Sequence, residues 1–221
     1  MKLKFYVIPA AVAAACLVFA AVVRFSYSDA GAKIYDYNYA AGGELTDVLK
    51  KNGVAAPEDV INQADLIVEA KYSGNRKVTK NAFFSEVDVG HVYKGDGTLA
   101  GKEICVIESM WTFTKTHFLN AGGTFSIPLR TGESTLLLLK HKQFDPERKL
   151  DAFQKSQYYP VTKSVFGCYR LSPGGRTELV DENKAYTVHS LKDFNIFTGD
   201  PQTLETYKRY RAWILGRFGI R

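Results

Sequence analysis

The chain has 221 residues, 46% of them hydrophobic and 24% charged, with a formal net charge of +6. That length fills one domain plus a short extra segment, and the composition excludes a disordered or collagen-like chain. Three cysteines are too few for a disulfide scaffold and are not spaced as a zinc site, while 13% aromatic residues favour strands.

Lys2 and Lys4 make a basic start, and residues 5–23 then run apolar for 19 positions. As a helix this run is about 28 Å long, enough to cross a bilayer core. Pro9 falls near its first turn, where proline costs least. Only Arg24 follows on the far side, so the positive-inside rule places the N-terminus in the cytoplasm and the rest outside. The expected organisation is a cytoplasmic start and transmembrane signal-anchor over residues 1–24, a linker over 25–43 and an extracytoplasmic domain over 44–221. Two other readings stay open. One is a signal peptide cleaved near Ala30, which would release a secreted domain. The other is lipid attachment at Cys16, against which the apolar residues 17–23 speak. From Phe25 onward, 26 basic and 23 acidic residues leave +3. That charge suits anionic headgroups or an anionic wall polymer without identifying either. An exported domain with no stacking motif is not expected to bind nucleic acid.

Residues 44–51 read as a short helix with Leu45, Val48 and Leu49 on one face, stopped by Asn52-Gly53. Pro57, followed by Glu58 and Asp59, opens a second. Residues 64–72 alternate as a strand, with Leu66, Val68, Ala70 and Tyr72 on one face and Ile67 on the other, and Gly74-Asn75 marks a turn. Residues 83–93 form a second strand whose core side carries Phe83, Val87, Val89 and Tyr93. Lys94-Gly95-Asp96-Gly97 is a tight turn before a third strand at 103–108. Residues 109–133 read as irregular. Residues 136–140 are apolar enough for a strand buried on both faces. Residues 158–171 suggest a strand pair or a bent strand. The turn Ser172-Pro173-Gly174-Gly175 lets residues 177–180 close a hairpin. A last helix spans about 201–215, with Asp200 as its cap, Pro201 in first position and Leu204, Tyr207, Tyr210, Ile214 and Phe218 as an apolar stripe.

The segments Ala64-Asp65-Leu66-Ile67-Val68-Glu69-Ala70, Val87-Asp88-Val89-Gly90-His91-Val92-Tyr93-Lys94-Gly95 and Ile104-Cys105-Val106-Ile107-Glu108 follow one another. Pro128-Leu129-Arg130-Thr131-Gly132-Glu133 then leads into Leu136-Leu137-Leu138-Leu139. This order resembles uncharacterised membrane-anchored surface proteins of Gram-positive bacteria. More distantly it is similar to netrin-like and tissue-inhibitor-of-metalloproteinase modules, which are OB-type barrels. The resemblance covers residues 64–171 and implies an OB-like barrel on the cell exterior. Tissue inhibitors begin with a cysteine that chelates the protease's metal. No cysteine stands at the matching start of this region, so protease inhibition does not carry over.

No H-E-x-x-H, G-x-S-x-G, S-x-x-K or C-x-x-C motif occurs, and His91, His117, His141 and His189 are scattered. No catalytic residue, metal or cofactor is therefore expected. Cys105 and Cys168 both fall on expected strands outside the membrane. A bridge between them would close a loop of about 63 residues, worth about 4 kcal/mol in the chain-entropy picture. Two buried thiols are the alternative. Trp111, Phe113 and Phe118 alternate with threonines, near Lys115 and Arg130. They read either as core residues of another strand or as an exposed binding surface. The expected fold is mainly β: an OB-like β-barrel or closed β-sandwich with a C-terminal helix and an N-terminal transmembrane helix. The expected function is a non-catalytic, membrane-tethered binding module for an envelope protein or anionic wall polymer. The alternatives are an envelope hydrolase, marked by a histidine meeting Glu108 or Asp88, and a structural subunit of a membrane complex.

Overall fold

Five strands rich in Val, Ile and Leu close on one another. In chain order they are β2 (Leu66–Val78), β3 (Phe83–Lys94), β4 (Glu103–Glu108), β7 (Ser134–His141) and β8 (Gln157–Pro160). The structure, a computed structural model, describes residues 12, 15–18, 34–40, 45–113, 118–120, 127–181 and 184–220. Round the barrel the order is β2-β3-β4-β8-β7 and back to β2. Every neighbouring pair is antiparallel except β4–β8, which is parallel. Closure removes the open edges that would otherwise invite pairing with another chain.

Strand alternation decides what fills the barrel. Leu66, Val68 and Ala70 pair with Leu139, Leu137 and Thr135 on β7, and Val87 pairs with Ile104 on β4. All of these inward residues but Thr135 form, with Val89 and Val106, one buried cluster. The opposite faces of β2 and β7 carry Ile67, Leu136 and Leu138, which join a second cluster outside the barrel. Residues 136–139 are thus buried on both faces, as their unbroken apolar run predicts. Each such side chain contributes about 1.5–3 kcal/mol of burial.

One end of the barrel interior is polar. Arg76 and Glu108 are almost fully buried and form an ion pair at 3.0 Å. Arg76 Nε donates to Ser85 Oγ at 2.8 Å and Nη2 donates to the Leu129 carbonyl at 2.6 Å. Ser85 Oγ donates to Glu108 Oε1 at 2.5 Å, and the Leu129 N–H donates to Oε2 at 2.9 Å. The guanidinium also lies 4.5 Å from the Tyr72 ring centroid.

The outer cluster is covered by helix α4 (Pro201–Arg217), after α1 (Leu45–Lys51), α2 (Pro57–Gln63) and the short α3 (Ala152–Lys155). Asp200 caps α4 by accepting from the N–H groups of Gln202 and Thr203 at 3.2 and 2.8 Å. Leu204, Tyr207, Tyr210 and Ile214 are buried, and the Tyr207 ring stacks on Tyr169 with centroids 5.7 Å apart. A small second sheet joins the same cluster. It is ordered β10-β1-β6-β5, with β1 (Asn38–Ala40), β5 (Trp111–Phe113), β6 (Phe118–Asn120) and β10 (Tyr186–Thr187).

The bent strand at residues 158–171 is β8 followed by two single 3₁₀ turns and β9 (Cys168–Arg170), both strands lying along β7. The chain turns at Thr162 and Lys163, both at positive φ, and Gly167 permits the close return: a Cβ there would stand 2.6 Å from the Val161 nitrogen, a backbone atom that cannot yield.

Several expectations are corrected. Gly74-Asn75 is an irregularity within β2, not its end, because the register moves from Tyr72–Val87 to Arg76–Ser85. The turn lies at residues 79–82, where the Thr79 N–H donates to the Ala82 carbonyl at 2.9 Å. A glycine-bearing dipeptide serves a bulge as well as a turn. A second bulge between Val89 and Val92 reverses the alternation, so Val92 faces the barrel and Tyr93 packs outside it against Phe218. Residues 109–133 are not wholly irregular, since β5 and β6 pair there. Residues 177–180 form no strand. Val180 N–H donates to Thr198, and Arg176 bridges to Phe194. Within the expected 25–43 linker, Ile34, Tyr37 and Tyr39 are buried, and the compact unit begins at Ile34.

Among the described residues, no helix is long and apolar enough to cross a membrane. Most of the expected anchor at residues 5–23, and the cleavage position near Ala30, lie outside the described residues.

Candidate functional site

Strand alternation on β5 turns Thr112 inward and Trp111 and Phe113 outward, where they are 53% and 44% exposed. Phe118, the cross-strand partner of Phe113 on β6, is half-buried, with ring centroids 6.2 Å apart. The structure therefore brings Trp111, Phe113 and Phe118 to one hairpin and leaves two large rings at the surface. Lys115 lies outside the described residues. Arg130 does not join the aromatic stripe through its guanidinium. That group donates to the Val188 carbonyl and lies 5.7 Å from the Tyr35 ring centroid. Burial and the neighbouring Arg170 pull its pKa below the usual value.

Cys105 and Cys168 are both free thiols, the second of the two arrangements that the sequence left open. The reason is register. Cys168 pairs with Leu137 and packs with the barrel interior, whereas Cys105 alternates with the inward Ile104 and Val106 and faces out. Side chains on opposite faces of the wall cannot meet. Burial pushes both thiols up to about 12, with Glu86 adding to Cys105 and Glu108 to Cys168.

The histidines stand apart. His91 packs edge-on against Tyr93, and His141 Nε2 lies 2.9 Å from the Lys155 carbonyl. His117 lies outside the described residues. Glu108 is held by Arg76, Ser85 and the Leu129 N–H rather than by a histidine. Among the described residues, no three His, Cys, Asp or Glu side chains come together as a metal site.

A different surface, among the described residues, forms a concavity. The β7–β8 connection, residues 142–156, folds back over the outer face of the barrel where β2 ends and β3 begins. It borders an open cleft of about 220 Å³ lined by Lys77, Phe84, Lys142, Phe144, Arg148 and Phe153. The Lys142 ammonium lies 4.8 Å from the Phe144 ring centroid and donates to Gln157 Oε1 at 2.9 Å. Arg148 lies 5.9 Å from the Phe144 centroid, and the Phe84 and Phe153 rings are 6.3 Å apart. Among the described residues, no carboxylate forms an ion pair with Lys77, Lys142 or Arg148. The one acid on the lining, Asp151, is occupied as the cap of α3, accepting from the Gln154 N–H at 2.7 Å. Three cations, two of them over rings, against the single carboxylate of Asp151 leave a net positive surface that attracts anions and offers apolar faces to stack on.

The cleft and the aromatic hairpin flank the same β2–β3 turn. The Thr112 N–H of β5 donates to the Lys80 carbonyl at 2.9 Å, while Lys77 and Phe84 on either side of that turn line the cleft. Sequence reasoning missed the cleft because residues 142–156 carry no strand or helix periodicity. The available signal is the interleaving of Lys142, Arg148, Lys149 and Lys155 with Phe144 and Phe153 between two strands. A second concavity of about 430 Å³ along α4 is lined by Gln202, Glu205, Thr206 and Arg209, with no ring.

The fold and cleft together define a closed five-stranded barrel with a basic, aromatic concavity on its outer wall. No protein family, curated protein or solved structure matches the chain.

Proposed function

We propose that this protein is a non-catalytic binding module, held at the membrane by residues 5–23, with its barrel outside the cell. The barrel order is that of an OB-like fold: first strand beside second and fourth, third parallel to fifth. Such barrels take ligands on the outer face of the second and third strands, between the loops that follow the first and fourth. The cleft of Lys77, Lys142 and Arg148 with three phenyl rings takes its lining from the start of the second strand and the loop after the fourth, and this partial overlap carries the reading. The anchor rests on the apolar run and on the lysines that precede it. The resemblance to membrane-anchored Gram-positive surface proteins points the same way.

Two measurements test this. Externally added protease should digest a C-terminal epitope tag in intact cells producing the full chain; protection of the tag would place the barrel inside. The full chain in lipid nanodiscs should retain a component of isolated cell envelope saturably. No saturable retention from either the polymer or the membrane-protein fraction would remove the binding-module reading.

A further inference from the structure

Lys142 and Arg148 lie against the face of Phe144, while Phe153 stays 42% exposed beside Phe84. Lys142 and Arg148 are therefore positioned by rings and an amide, and the three cations of the lining outnumber its one carboxylate, Asp151. A ligand meets fixed positive charge and an open phenyl face together. Size narrows the ligand further. A cleft of about 220 Å³ falls below the roughly 300–1,000 Å³ of pockets that enclose a small molecule. It suits a single unit of a longer chain. A ring with an apolar C–H face and an anionic substituent satisfies both features: its face stacks on Phe153 and its anion meets Lys142, Arg148 and Lys77.

Resting on the binding-module reading, we propose that this cleft binds an acidic polysaccharide, seating one sugar unit that carries a carboxylate or phosphate. Neutral glycans lack the charge that a lining of three cations and one carboxylate attracts. Nucleic acid offers charge and stacking too, but a single site of this size grips only one nucleotide. Sequence-tolerant single-strand binders track several bases along a groove.

The test uses the full chain in nanodiscs and four defined probes: polygalacturonate, phosphorylated dextran, unmodified dextran and an oligo(dT) strand. Saturable binding of polygalacturonate or phosphorylated dextran is expected, and whichever is tighter identifies the anion. Binding should weaken with added salt. The Lys142→Gln/Arg148→Gln variant should bind about tenfold more weakly or worse, and Phe153→Ala, an exposed position, should also weaken it without altering the thermal midpoint. Equal binding of unmodified dextran, tighter binding of oligo(dT), or undiminished binding by the double variant would each overturn the proposal. If none of the four probes binds while envelope material is still retained, this proposal fails and the binding-module reading stands. Loss of both removes the two together.

Discussion

The Arg76–Glu108 pair offers the sharpest check on the barrel. Both side chains are 97% or more buried, and the guanidinium makes its contacts to Glu108, Ser85 and Leu129 inside the wall. Arg76→Met keeps the apolar stem but leaves the Glu108 carboxylate without its counter-charge. Breaking one partner of such a pair costs about 3–5 kcal/mol. For a domain of this size that is a fall of roughly 6–20 °C in thermal midpoint. The double variant Arg76→Met/Glu108→Gln should recover about 2 kcal/mol of the loss. Its amide is uncharged, still accepts from the Leu129 N–H and still offers a donor beside Ser85. The assay is thermal unfolding of the full chain in nanodiscs, followed by near-ultraviolet circular dichroism at pH 7 across the wild type, both singles and the double. If Arg76→Met moves the midpoint by less than about 2 °C, or if the two single losses simply add in the double, the buried ion pair is not what holds this end of the barrel.

Two further outcomes follow from the geometry. In a Cys16→Ser background, Cys105 and Cys168 should resist a maleimide at pH 8 while folded, because burial holds both thiols up to about 12. Both should label in denaturant without any reductant; a requirement for reductant would show a bridge and refute the opposite-face assignment. Asp200→Ala should lower stability by about 1 kcal/mol at pH 7 by removing the α4 cap. Hydrogen bonds from Thr203 and Gln202 hold the Asp200 carboxyl below the usual carboxylate range. A depressed folded value means the stabilisation is present above the unfolded value and is lost as pH falls through the folded one. The gap between wild type and variant should thus close below about pH 4, and a gap that persists undiminished at pH 2.5 would refute the cap's ionic character.

The sequence was most readable where one physical rule acted alone. Alternation at Leu66, Val68, Ala70 and Tyr72 marks the barrel face of β2, and Asp200-Pro201 marks the start of α4. The aromatic segment left two readings open. The structure exposes Trp111 and Phe113 because β5 turns Thr112 toward the Thr79 carbonyl instead. Tyr93 shows the limit from the other side, since a bulge of one residue reverses the side chains at Val92 and Tyr93 and leaves no mark in the hydrophobic pattern.

By itself, then, the sequence determined the strands with strong period or unbroken apolar runs, the capped last helix and a mainly β class. These depend on neighbours within a few residues. Only the tertiary structure decided that the strands close with β4 beside β8, and that Cys105 and Cys168 face opposite sides of one wall. It alone set Arg76 against Glu108, and Lys77 across from Lys142 and Arg148. Each of these joins residues far apart in the chain. Their meeting depends on register and closure, which follow from packing the whole barrel rather than from any local pattern.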